Sequence, residues 1–258
     1  MQGSILILVL WILALLSFLA GDYLSHNREK SVVSSNAWNY EKENCAVNSV
    51  IQIFSADRSP LSGLEEEKDW IKFSPGGLDV WAKSDKESGR INVNSASEVT
   101  LREKIRQIMG DERSDEAERL ADAILDWRDA DDLTRLYGAE AGDYQTNGLQ
   151  YVPGNGPFQS LTQLLLVKGM VSNLFWGDPL ASVEENADSD EQLKGPGTGS
   201  LVENFTIYGT NVRRVSMVIP RRGKSYLFVL AFLSRVNGKW QAFQMYRMTL
   251  LMSREEES

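Results

Sequence analysis

The polarity of the chain changes texture several times along its length. Residues 4–20 (SILILVLWILALLSFLA) contain no charged side chain. As a helix these 17 residues span roughly 25 Å at about 1.5 Å per residue. Continuing through Gly21 to Leu24 reaches the ~30 Å of a bilayer's hydrocarbon core. Beyond it, residues 22–42 are polar, with Val32, Val33, Trp38 and Tyr40 scattered among them. Ala46, Val50, Ile53 and Phe54 then recur at i, i+4, i+7 and i+8, the spacing of one helix face. Two arrangements fit: one helix over 4–54, or two with a break in the serine- and asparagine-rich 31–39. Asp57-Arg58-Ser59-Pro60 ends the pattern, because the residue before proline avoids helical angles.

Strand signals come next. Trp70–Phe73 and Leu78–Lys83 alternate in polarity around Ser74-Pro75-Gly76-Gly77, which predicts a hairpin. Glu65, Glu66 and Glu67 read as a solvated loop or helix start. Helices are predicted over about 97–109, 115–128 and 160–167, with a short fourth over 171–175. Ser95 or Ser97 caps the first, Ser95 having Glu98 at the capping-box spacing. Leu120, Ala123, Ile124 and Trp127 form the buried stripe of the second. Residues 181–200 hold few apolar side chains and read as a flexible loop. The chain closes on strands over 212–219, 225–234 and 239–248, with Asn237-Gly238 as a strong hairpin turn. The unbroken apolar run Tyr226–Leu233 predicts a central strand buried on both faces.

The order predicts an α+β fold: a long N-terminal helix packed on an antiparallel sheet, with an all-α module inserted in it. The expected divisions are 1–3 as a leader, 4–24 as a transmembrane helix, and 25–90 as the helix continuation with the first strands. The insert with its acidic loop follows over 91–200, and the last strands over 201–258.

Charge sharpens this picture. The net charge of −9 is made of −3 over residues 1–90, −11 over 91–200 and +5 over 201–258. So acidic a middle repels phosphate backbones and argues against nucleic acid as its partner. The single cysteine, Cys45, permits no intrachain disulfide and is expected in the core, on the apolar helix face. The only histidine, His26, lies beside the apolar run. There is no zinc spacing and no glycine-rich phosphate loop, so the residues offer little to catalysis and the chain reads as a non-enzyme. The densest chemistry is a carboxylate group: Asp126, Asp129, Asp131 and Asp132, with Glu140 and Asp143 nearby. Hard oxygen donors at that density suit calcium, although the EF-hand pattern is not met. The competing reading pairs Asp126 with Arg128, or uses it to cap a turn, and leaves the other carboxylates in solvent.

The apolar run has three readings: a cleaved secretory signal, a plain membrane anchor, or a helix retained after a short leader is removed. The charges behind it (Asp22, His26, Arg28, Glu29, Lys30) nearly cancel and orient an anchor poorly. Gly3 directly before the run resembles the cleavage site of type IV pilin-like proteins. That resemblance implies a cut by a prepilin peptidase between Gly3 and Ser4, on the cytoplasmic side. Pilin-like subunits usually carry a glutamate five residues after the cut, thought to neutralise a neighbour's terminal amine; here the position is Leu8. A subunit with Leu8 offers no partner charge to an amine in hydrocarbon and suits the end of a filament better than its body.

Three further stretches resemble the K-type minor pseudopilin of the type II secretion system (general secretion pathway protein K). GRINVNSAS at 89–97 is similar to its G-K-I-N-x-N-x-A turn. ADAILDWRDADDLTRLYGAEAGDY at 121–144 is similar to its D-W-x-D-x-D-D…G-A-E…Y segment, and GPFQSLTQLLLVKGM at 156–170 to its P-F-x-S-x-x-E-L-x-x-V-x-G-M segment. A second N-x-N-T-A-type element, usual in the family, has no clear copy in 181–211, which implies a shortened insert.

The resemblance implies a SAM-like or helix-hairpin-helix-like insert. It implies a protein of the bacterial inner membrane, single-pass, with its bulk in the periplasm, capping the tip of a secretion pseudopilus and helping to start its assembly. Implied partners are the I- and J-type minor pseudopilins, the major pseudopilin, the prepilin peptidase and the membrane. Implied too is calcium in the insert. The alternatives are a membrane-anchored envelope enzyme or calcium-dependent binding protein using the acidic loop, and a DNA-uptake helix-hairpin-helix protein. The last is disfavoured because the hairpin reads MGDERSDE, which is acidic.

Overall fold

The computed structural model describes residues 2–56, 70–146, 148–177, 199–221 and 225–251, without the side chains of 2–8, 20, 24–29 and 251. Glu65–Glu67, the 57–60 terminator, most of the 181–200 loop and the turn at 222–224 lie outside the described residues.

Helix α1 is continuous from Gln2 to Ser55, so the 31–39 stretch does not break it. Among its described side chains, those that are buried lie in its C-terminal part. Glu43, Ala46, Val47, Val50, Ile51 and Phe54 are buried, repeating at i, i+3, i+4, i+7, i+8 and i+11. Ala46, Val50 and Phe54 of the expected stripe are buried and Ile53 is half-buried; the buried face extends further, over Glu43, Val47 and Ile51. Cys45, expected in the core, is exposed because it lies one position off that face.

The main sheet has five antiparallel strands, in the order β1 (Ile71–Phe73), β2 (Val80–Lys86), β5 (Val212–Arg221), β6 (Ser225–Val236), β7 (Lys239–Leu251). The first hairpin forms as expected, with Phe73 opposite Val80. Gly76 and Gly77 hold φ of +60° and +72° in its turn, values that glycine adopts without a Cβ penalty. At the Asn237-Gly238 turn both residues also have positive φ.

Strand β6 is central. Tyr226, Phe228, Leu230 and Phe232 belong to one core, while Leu227, Val229, Ala231 and Leu233 belong to another. The period of two in a strand places them on opposite faces. The second core is completed by α1; the first is completed by the chain between β2 and β5. The continuous apolar run therefore forms a wall between two interiors, as its composition implied.

That intervening chain holds α2 (Glu98–Met109), α3 (Ser114–Arg128), α4 (Ala141–Thr146), a 3₁₀ turn at Leu161–Leu166, α5 (Ser172–Trp176) and α6 (Leu201–Asn204). The segment expected as a helix over 160–167 is that 3₁₀ turn. It is closed by a capping box between Ser160 and Gln163. Ser97, not Ser95, caps α2 and accepts a hydrogen bond from the Thr100 amide at 3.1 Å. The insert is not purely helical: β3 (Ile91–Asn92) pairs in parallel with β4 (Phe205–Thr206) where the chain enters and leaves it. Beneath this junction Arg214 and Glu87 form an ion pair, both 0–1% exposed, with Arg214 Nε 2.7 Å from Glu87 Oε1.

Among the described residues no helix is long and apolar enough to cross a membrane. The expected 4–24 span includes positions whose side chains are not described. Gly3, Ser4 and Leu8 lie in α1, and the structure says nothing of their side chains.

Candidate functional site

The three motif segments meet around Trp127, near the end of α3. Its ring stacks on Phe158 at 5.9 Å with planes 7° apart, and meets Tyr144 edge-on at 5.8 Å. Asn94 exchanges two hydrogen bonds with the Phe158 backbone, donating at 3.0 Å and accepting at 2.8 Å. Asn92 accepts from the Asn94 amide at 2.9 Å and donates to the Tyr208 carbonyl at 3.2 Å. The two asparagines of the first motif thus stitch the insert together; they bear no ligand chemistry of their own.

The carboxylates lie at the same end of α3. Asp126 is 0% exposed, because the chain after α3 folds back over it. Its Oδ1 accepts from Arg135 Nη1 at 2.7 Å and its Oδ2 from the Arg135 amide at 3.2 Å. A Cβ on Gly138 would stand 1.7 Å from Asp126 Oδ2, so only glycine lets the loop close there. The neighbouring Tyr137 amide donates to Asp122 Oδ2 at 3.0 Å. Asp122, itself buried, is further tied to Arg102.

The pairing of Asp126 with Arg128 does not occur. Residues two apart on a helix face different ways. Arg128 instead donates to the backbone carbonyls of Val93 and Ala96. The partner is Arg135, nine residues on, and its Nη1 also reaches Asp129 Oδ2 at 2.5 Å. Burial opposes its charge, yet the bonds to Asp129 and Asp126 hold its pKa above the ordinary arginine value.

Asp131 and Asp132 are exposed. Asp131 Oδ1 accepts from the Leu133 amide at 2.9 Å, and Asp132 Oδ1 from Asn155 Nδ2 at 2.9 Å. Glu140 is different. It is 5% exposed, and both of its carboxylate oxygens are buried without a hydrogen-bond partner. Burial first, then repulsion from Asp126, Asp129, Asp132 and Asp131, pushes its carboxyl up to about 7. Asp129 Oδ1 and Asn155 Oδ1 are likewise buried and unpartnered.

The donor set therefore fits a hard cation by its chemistry, with four unpartnered oxygens among five carboxylates and one amide. As they stand, no three His, Cys, Asp or Glu side chains among the described residues are gathered closely enough to hold a metal. The guanidinium of Arg135 lies between two of the carboxylates. Arg135, Asn155 and Asp122 were not among the residues expected here. Arg135 was discoverable as the only cation in the otherwise acidic 129–143 stretch.

Comparison with known proteins gives a matching result. Residues 89–175 match the family model of the type II secretion system (T2SS), protein K. No curated protein matches the chain. A solved structure, the GspK-GspI-GspJ complex from the type 2 secretion system of enterotoxigenic Escherichia coli, is similar at 13% identity. The similarity covers 86% of this chain and 99% of that one, with a TM-score of 0.46. All three motifs lie inside the stretch, residues 89–175, that is similar to the type II secretion system protein K family.

Proposed function

We propose that this protein is a minor pseudopilin of the type II secretion system, retained in the inner membrane by its N-terminal helix and placed at the tip of the pseudopilus. The observation that carries it is the protein K segment, built into a sheet that packs on a long N-terminal helix. The anchor reading is supported by α1 itself. Val9 to Leu13, Leu15, Leu16, Phe18 and Leu19 are all exposed, an apolar helix surface that needs lipid or other helices to cover it. In this reading a prepilin peptidase cuts between Gly3 and Ser4. Leu8 then leaves a neighbour's amine unmatched in the membrane, so the subunit is excluded from the filament body. The insert sits on the sheet face opposite α1 and adds bulk that suits an end position. Parallel packing of α1 against the corresponding helices of I- and J-type subunits would start assembly. The role is structural and not catalytic.

The test is the mass of the mature N-terminus from membranes, together with labelling along pseudopili. A chain starting at Ser4 and found only at filament ends is expected. A chain starting at Gly21 or Asp22 overturns the reading. Leu8→Glu is expected to allow labelling away from the tip.

The acidic loop fits a structural calcium ion, supported by its unpartnered oxygens. Glu140, Asp129, Asp131, Asp132 and Asn155 would hold it, with Asp126 behind them. Bound there, the ion would neutralise the surplus carboxylates and cross-link the α3 end to the 131–140 loop. Calcium is expected to raise the melting temperature of the full-length protein, and Asp129→Ala with Asp131→Ala to abolish that rise.

A further inference from the structure

The carboxylate frame and the guanidinium are held in different ways. Asp126 is fixed by main chain: the Arg135 amide donates to it, and Gly138 is packed against it. Asp122 fixes the same loop through the Tyr137 amide. None of these contacts uses the Arg135 side chain. The guanidinium is bound by carboxylates alone, at 2.7 Å to Asp126 Oδ1 and 2.5 Å to Asp129 Oδ2. Its side chain is 31% exposed and has a path to water. Glu140, buried and close enough to be repelled by the same carboxylates, leaves both oxygens unpartnered even with Arg135 in place. One guanidinium, bonded to Asp126 and Asp129 and not to Glu140, thus leaves the group short of positive charge.

We infer that Arg135 is a built-in competitor for the divalent cation: its guanidinium occupies the Asp126–Asp129 position in the metal-free protein and swings into solvent when calcium binds. This rests on the calcium reading above. The loop backbone stays, because its ties do not involve the displaced side chain. Arg135 thereby lowers calcium affinity and keeps the metal-free insert folded.

The test is calorimetric titration of the full-length protein with calcium chloride after chelation, comparing the wild type with Arg135→Gln. The variant is expected to bind calcium about ten-fold or more tightly, the factor that releasing one charge-assisted contact corresponds to. It is also expected to melt lower than wild type without calcium. Equal affinity in the two proteins overturns the competitor role and leaves calcium binding standing. Weaker binding by Arg135→Gln also overturns it, making Arg135 a strut that assembles the site. No binding by either protein removes the calcium reading and this inference with it. Should Arg135→Gln fail to fold without calcium, Arg135→Lys, whose single ammonium bridges the two carboxylates less well, is expected to bind calcium more tightly than wild type. In the wild type itself, the Arg135 guanidinium protons are expected to exchange slowly without calcium and fast with it, by nitrogen-15 NMR. Slow exchange in both conditions contradicts displacement.

Discussion

Two buried charged groups support the insert, and they differ in completeness. At the junction with the sheet the charges balance: Glu87 pairs with Arg214 and, at 3.5 Å, with Arg90, while Asp85 and Glu203 are met by Arg90 and Lys83. Glu87 binds two guanidinium nitrogens of Arg214, and the Val202 and Phe205 carbonyls each accept a further bond from it. At the far end of α3, Asp126 and Asp129 share a single arginine, and four oxygens nearby, on Asp129, Glu140 and Asn155, have no partner. Each holds buried carboxylates, Glu87 in one and Asp126 and Glu140 in the other, so burial alone does not separate a structural tie from a binding group. Stoichiometry does. A closed pair has nothing left to bind, whereas a surplus of one sign is stable only if it is protonated, moved or neutralised from outside.

The largest expected effect lies in the closed pair. Arg214→Met leaves the buried Glu87 only its 3.5 Å contact to Arg90 and should cost about 3–5 kcal/mol by denaturant unfolding. Calcium should not restore the loss. Gly138→Ala comes next, because the added Cβ meets Asp126 Oδ2 at 1.7 Å. It should destabilise by about 3 kcal/mol, the upper end for overpacking, and weaken calcium binding as well.

Glu140→Gln should act with the opposite sign. The folded-state pKa of Glu140 is raised from 4.5 to about 7, so the neutral carboxyl stabilises fully below about pH 4.5. That stability is lost as pH rises through about 7. In chelator, the variant should match wild type near pH 4.5 and exceed it by about 2 kcal/mol at pH 8. Thermal unfolding across that range measures it, and a constant difference would show that Glu140 does not titrate as its surroundings imply. Ser97→Ala should have the smallest effect, about 1 kcal/mol from the lost α2 cap, and should leave calcium affinity unchanged.

The sheet was legible because its signals are local. Alternation, Pro-Gly-Gly and Asn-Gly report on their own neighbourhood, and strands β2, β5, β6 and β7 stand where those signals put them. The extent of α1's buried face was not. Ala46, Val50 and Phe54 are buried as expected, but the breadth of the face, which adds Val47 and Ile51 and leaves Cys45 outside, is set only by the sheet it packs on. The acidic group was visible as a composition, with Asp126, Asp129 and Glu140 named. Its wiring was not, because Arg128 is near in sequence and Arg135 is near in space only after the chain reverses over Asp126. The parallel β3–β4 pair was missed for the same reason: its two residues on each side come from positions more than a hundred apart.

The wall role of β6 bears on how the molecule can be cut. Trp176, at the end of the family-matched stretch, packs edge-on against Phe228 at 5.8 Å, and Phe232 lines the same interior. A fragment trimmed to residues 89–177 would therefore lose the floor on which its helices rest. It would present a bare aromatic underside to water, so the homologous segment and the smallest autonomously folding piece have different borders. Expression trials that retain β5 to β7 keep that underside covered.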